Sequence, residues 1–218
     1  MELLAPRDLE RLFHDPAMFD SASSWHKAGF KIVRDSDNYI LVAKHKAAKD
    51  VLFKKYSNQV SLQEQHARYV RRLEGARKLQ ALIETKHLRR IVVPRKQIVE
   101  LPRQFTREMP SYILVVEKLR ILDRKESEYA YRHVDDKVLG ELCSVFFACR
   151  DLDFTARNAP FTKEDKIAFI DTERIDYWRD QDIEERRVWY LHCTCKYWTE
   201  QRMRRAEDLW NVFAAMPA

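Results

Sequence analysis

RDLDFTARNAPFTKEDKIAFIDTE, residues 150 to 173, is the stretch on which the reading of this 218-residue chain turns. It sets Asp153, then Asn158 five residues on, then Asp171 after a charged turn and a short apolar run. Lys163-Glu164-Asp165 supplies the turn, and Lys166-Ile167-Ala168-Phe169-Ile170 the strand that enters Asp171, so the spacing predicts a hairpin with an oxygen donor at each end. A strand end is a rigid place for such a group. Each acid taken alone reads as a solvated surface carboxylate; the three in this order suggest a common task.

The pattern Asp-x-x-x-x-Asn, hairpin, Asp resembles the catalytic loop and magnesium site of the protein-kinase-like family, in a minimal and divergent form. Phosphoryl transfer leaves little covalent chemistry to a protein. It asks for hard oxygen ligands to Mg2+ and for a carboxylate beside the attacking hydroxyl. The resemblance implies an ATP- and Mg2+-dependent kinase in which Asn158 and Asp171 are the metal ligands and Asp153 orients or deprotonates the acceptor hydroxyl. It also implies an α+β, two-lobed fold: a small antiparallel N-lobe sheet with one long helix, and a reduced, mainly helical C-lobe, with the nucleotide between them.

Along the chain, residues 1 to 24 read as an N-terminal extension with a short helix over Asp8 to Phe13 and a loop at Ser21 to Ser24. Residues 25 to 118 read as the N-lobe. Strands are expected at Phe30 to Arg34 and Tyr39 to Ala43 around the turn Asp35-Ser36-Asp37-Asn38, followed by a short helix between Lys46 and Tyr56. The tripeptide Val42-Ala43-Lys44 resembles the strand-borne lysine motif, which makes Lys44 the residue that would hold the α- and β-phosphates. A long helix from Ser61 to about Lys86 follows from the apolar stripe Leu62, Tyr69, Val70, Leu73, Ala76, Leu79 and Ile83. In the family this helix presents a glutamate to the lysine. Glu64 sits in a capping box, Ser61-Leu62-Gln63-Glu64, which explains it structurally. Glu74, beside Gly75-Ala76, is the preferred partner, with an i, i+4 pair to Lys78 as its alternative.

Ile91 to Val93, Ile98 to Leu101 and Ser111 to Val116 read as the last N-lobe strands. By resemblance the final one enters a hinge where the backbone around Glu117 and Leu119 would bind adenine. Residues 119 to 218 read as the C-lobe: a charged connector at Glu126 to Arg132, and helices at Asp135 to Cys149, Asp180 to about Trp198, and Thr199 to Phe213. Trp178, Trp189, Trp198 and Trp210 are among its core candidates.

Composition sets limits. With 45% hydrophobic and 34% charged residues the chain folds to a globular core, but its three glycines exclude a Gly-rich phosphate loop, a Walker loop and a dinucleotide fingerprint. The net charge of +6 is spread among interleaved acids, so the surface is mixed rather than polycationic. Cys143, Cys149, Cys193 and Cys195 match no zinc module, and His192-Cys193-x-Cys195 lacks a fourth ligand. No run of about 20 apolar residues exists, nor a signal pattern, and the expectation is a soluble protein without a membrane span. It would be cytoplasmic, or secreted into a host cell if an effector, as some small bacterial kinase-like proteins are.

The departures from the family are specific. Thr172-Glu173 stands where a Phe-Gly would, no Ala-Pro-Glu follows, and the stretch beyond Asp171 is too short for a full peptide-binding platform. The second reading is therefore a pseudokinase acting as an interaction protein. The third is a basic nucleic-acid-binding domain built on Arg68, Arg71, Arg72, Arg77, Arg89, Arg90, Arg95 and Lys96; aromatic interleaving and a nucleic-acid motif are lacking, which disfavours it.

Overall fold

The computed structural model describes residues 2–13, 22–36, 40–56, 60–101, 111–176, 182–195 and 197–215. Trp178 and the turn residues Asp37 and Asn38 lie outside the described residues, as do the side chains of Trp189, Cys193 and Cys195. The protein is a mixed α+β chain that divides into two compact units, Met1–Leu73 with Pro94–Lys118, and Glu74–Val93 with Leu119–Ala218.

The first unit is built on a five-stranded antiparallel sheet. Its strands are β1 (Phe30–Ser36), β2 (Ile40–His45), β3 (Ala48–Tyr56), β5 (Lys96–Glu100) and β6 (Tyr112–Glu117), in the order β1-β2-β3-β6-β5. The segment read as a short helix is β3. A two-residue turn at Lys46-Ala47 pairs His45 with Ala48, and β3 then bonds to β2 on one edge and to β6 on the other. Two ladders outweigh the weak helical preference of Ala48-Lys49-Asp50, a tertiary effect that a local pattern does not contain. The strands expected near residues 30 to 45 and 111 to 116 share one sheet, as β1, β2 and β6.

One face of the sheet packs Phe30, Ala43, Phe53, Ile113 and Val115 against Leu4, Leu12, Phe13 and Trp25. The N-terminal residues are thus core rather than an appendage. Helix α1 (Pro6–Leu12) leads to Phe13, whose ring meets Phe30 and Phe53 at 6.2 and 5.8 Å, and α2 (Ala22–Lys27), in place of the expected loop, carries Trp25. The N–H groups of Leu3 and Leu4 both donate to the Gln97 side-chain oxygen, at 2.9 and 3.2 Å. The other face packs Tyr56, Leu114 and Val116 on Tyr69 of α3 (Leu62–Thr85), whose hydroxyl accepts the Tyr56 N–H at 3.0 Å.

The second unit begins with the later turns of α3. That helix closes with the Leu88 N–H on the Ile83 carbonyl (3.0 Å) and the His87 N–H on the Glu84 carbonyl (3.3 Å), a Schellman pattern with His87 in the left-handed region at φ 53°. Next, β4 (Ile91–Val92) pairs in parallel with β7 (Ile167–Ala168) in a separate two-stranded sheet, not with the five strands as expected. Residues 126 to 132, read as a connector, lie in α4 (Arg124–Arg132). Its start is an Asp123/Glu126 capping box with both reciprocal bonds made, a local signal that the sequence does carry. Helices α5 (Asp136–Ala148), α6 (Ile183–Cys195) and α7 (Glu200–Ala214) complete the unit around Leu139, Leu142, Phe146, Phe154, Tyr190 and Trp210. Among the described residues no helix is long and apolar enough to cross a membrane.

Candidate functional site

The end of α5 delivers the chain to Arg150, whose N–H donates to Asp176 Oδ1 at 2.6 Å while the Asp176 N–H donates to the Arg150 carbonyl at 3.0 Å. Lys78 on α3 forms an ion pair with the same Asp176. Asp151 is buried with φ 51° and pairs with Arg174 at 3.2 Å. From there side chains alternate: Leu152, Phe154 and Ala156 are buried, whereas Asp153 and Thr155 are half-buried. Phe154 lies against Phe146 (5.3 Å), Tyr131 (5.5 Å) and Phe169 (5.9 Å), so the aromatic core holds the backbone on both sides of Asp153 and keeps its carboxylate off that core.

Residues 155 to 159 form one turn, in which the Thr155 carbonyl accepts the N–H groups of Asn158 (2.9 Å) and Ala159 (2.7 Å). The hairpin is then sewn together. Ile170 N–H donates to the Asn158 carbonyl at 2.9 Å, Ala168 N–H to the Pro160 carbonyl at 2.8 Å, and Phe161 bridges Ile167. Thr162 caps the turn, its hydroxyl accepting the N–H groups of Glu164 and Lys166 at 3.2 Å each. The opposite edge of the returning strand is held by Ile167 N–H on the Arg90 carbonyl (2.7 Å) and Phe169 N–H on the Val92 carbonyl (2.9 Å). Bonded along both edges, the strand presents Asp171 from a rigid base. Asn158 thus sits one residue away from Asp171 across the ladder, on a loop that also carries Asp153.

Asp171 Oδ1 accepts the Glu173 N–H at 3.3 Å, and Thr172 is wholly buried. The Asp171 carboxylate and the Asn158 amide are hard oxygen donors that suit Mg2+. Among the described residues no group of three or more His, Cys, Asp or Glu could hold a metal ion.

In the first unit, Lys44 falls where the β2–β3 register shifts between Ala43 and His45, and its β1 partner is Lys31. Glu64 is held by two arginines of its own helix, Arg68 at 2.8 Å and Arg71 at 3.1 Å; the Arg68 hydrogen bond foremost lowers its pKa, burial opposes it, and the Arg71 hydrogen bond adds to the lowering. Glu74 is exposed. Glu117 donates its N–H to the Arg95 carbonyl at 2.9 Å and accepts the Arg95 N–H on its carboxylate at 3.0 Å, and the Lys118 N–H donates to the Asp50 carbonyl at 2.8 Å. Leu119 opens the second unit.

No protein-family model matches the chain, and no curated protein matches it. Solved structures do. One is a crystal structure of WbdD, to which the chain is 14% identical with a TM-score of 0.48, over 87% of this chain and 46% of that one. The chain therefore spans less than half the length of that structure.

Sequence reasoning passed over Lys54. It lies on the third strand, opposite Val42 on one side and Leu114 on the other, and on the sheet face that bears Leu114, Tyr56 and Tyr69. A local signal for it existed: Val51-Leu52-Phe53-Lys54 is an apolar run ending in lysine shortly before the long helix, which Lys44 is not. Taking residues 46 to 56 as helical hid it.

Proposed function

We propose that the chain is an ATP- and Mg2+-dependent phosphotransferase of protein-kinase-like, two-lobed type, acting on an acceptor hydroxyl of a protein or a small molecule. The observation that carries this reading is the bond from Ile170 N–H to the Asn158 carbonyl, which ties Asn158 to the strand that ends in Asp171. Asn158 and Asp171 would hold Mg2+, which would supply charge neutralisation to the nucleotide phosphates. Asp153 accepts the acceptor hydroxyl proton as the new oxygen–phosphorus bond forms and the bond to the β-phosphate oxygen breaks, releasing ADP. Lys54, on the third strand, is a better candidate than Lys44 for the α- and β-phosphates, since in kinases the lysine is borne by that strand. The Glu117 carbonyl and the Leu119 backbone are assigned to adenine.

A pseudokinase is the second reading, favoured by the commitment of Glu64 to Arg68 and Arg71. One experiment separates them. Purified protein is incubated with Mg2+ and γ-labelled ATP, alone and with a cell lysate. Label transfer that is lost in Asp153→Ala supports the enzyme; nucleotide binding without transfer supports the pseudokinase; neither binding nor transfer removes both.

A further inference from the structure

Residues 155 to 159 are a single isolated turn, and one turn is unstable by itself because several backbone dihedrals are fixed for few hydrogen bonds. Its inner bonds run to the Thr155 carbonyl from Asn158 and Ala159. Such a turn leaves its first N–H and its last carbonyl without internal partners. Two tyrosines take these groups. Tyr197, 41 residues further along the chain, accepts the Ala156 N–H on its hydroxyl at 3.2 Å. Tyr131, fully buried on α4, donates its hydroxyl to the Ala159 carbonyl. The two rings stack on each other at 5.2 Å and 26°, and Tyr131 meets Phe154 and Phe161 edge-on.

We propose that the stacked Tyr131–Tyr197 pair sets the conformation of the turn between Asp153 and Asn158, with the Tyr197 hydroxyl as a positioning residue for the phosphotransfer site. The inference rests on the function proposed above. Asn158 lies between the two captured groups, so its distance from Asp171 depends on both tyrosines as well as on the bond to Ile170. Tyr131 is buried in the core and serves the fold too. Tyr197 is only partly buried, and its ring can keep the stack without its oxygen.

Tyr197→Phe removes that oxygen alone. Amide hydrogen exchange in the intact protein should show the Ala156 N–H losing protection by about tenfold or more, with core amides of α5 such as Leu142 unchanged. In transfer assays kcat should fall roughly ten- to a hundredfold with KM for ATP unchanged, the size expected when a reacting group is displaced by about an ångström. Unchanged Ala156 protection in Tyr197→Phe overturns the clamp. Lost protection with an unchanged kcat overturns the positioning role. If the wild-type protein transfers no phosphate, the exchange result still decides the clamp, while the positioning role falls together with the proposed function.

Discussion

The Thr172 carbonyl oxygen stands 2.1 Å from the point where a β-carbon on Gly75 would lie. Helix α3 can therefore pass the residue that follows Asp171 only because position 75 has no side chain. Thr172 is wholly buried, so its backbone has no open space into which to retreat. Gly75→Ala should destabilise the protein by up to about 2 kcal/mol, since overpacking against fixed backbone costs about 1–3 kcal/mol and the better helix propensity of Ala returns roughly 1 kcal/mol of it. Urea unfolding would measure it. A variant as stable as wild type or more so would show that the approach is not rigid.

The division of labour among the three site residues predicts distinct phenotypes. Asp171→Ala should abolish transfer and the Mg2+-dependent part of nucleotide binding, and Asn158→Ala should do so more mildly, because a neutral amide contributes less to metal affinity. Asp153→Ala should leave Mg2+-ATP binding intact and lower the rate by about 10²- to 10⁴-fold, the usual range for a general base. Calorimetric titration with Mg2+-ATP beside a transfer assay separates the cases. Equal loss of binding in both aspartate variants, with circular dichroism unchanged, contradicts the assignment.

Lys54 and Lys44 can be told apart in the same way. Nucleotide binding raises the melting temperature by an amount that grows with the logarithm of ligand concentration over Kd. Lys54→Ala should reduce the ATP-induced shift strongly, and Lys44→Ala should leave it nearly intact. The reverse pattern would return the phosphate contact to the second strand.

His45 gives the first unit an acid-side weakness. Its ring packs on Phe30 at 4.8 Å, and its Nδ1 accepts the Ala47 N–H at 3.2 Å, a bond that protonation of that nitrogen destroys. Burial first, and then the charges of Lys46 and Arg11, lower its pKa from the ordinary 6.5. A base with a depressed folded-state pKa takes up its proton more readily when unfolded. Its contribution to stability is complete above about pH 6.5 and is lost as pH falls below that value toward the lower folded-state pKa. Thermal melts between pH 7.5 and 5.5 should show this loss, attenuated in His45→Gln. Identical pH dependence in the two proteins would assign the effect to other groups.

The sequence by itself determined what local chemistry and periodicity can encode. The α3 stripe placed a helix within a residue of its observed Leu62–Thr85 span, and the turn and apolar run of residues 163 to 170 marked the hairpin that ends at Asp171. The three glycines excluded whole classes of nucleotide loop. Tertiary structure decided the rest. Residues 48 to 56 are a strand because β2 and β6 bond to both of its edges, and Ile91-Val92 leave the larger sheet because β7 offers a parallel partner from 76 residues away in register, Ile91 to Ile167. The partners of Glu64 and Lys78, and the capture of Ala156 by Tyr197, depend on which groups the folded chain brings within reach. A residue's propensity is a property of its neighbours in sequence, whereas a hydrogen-bond partner is a property of its neighbours in space.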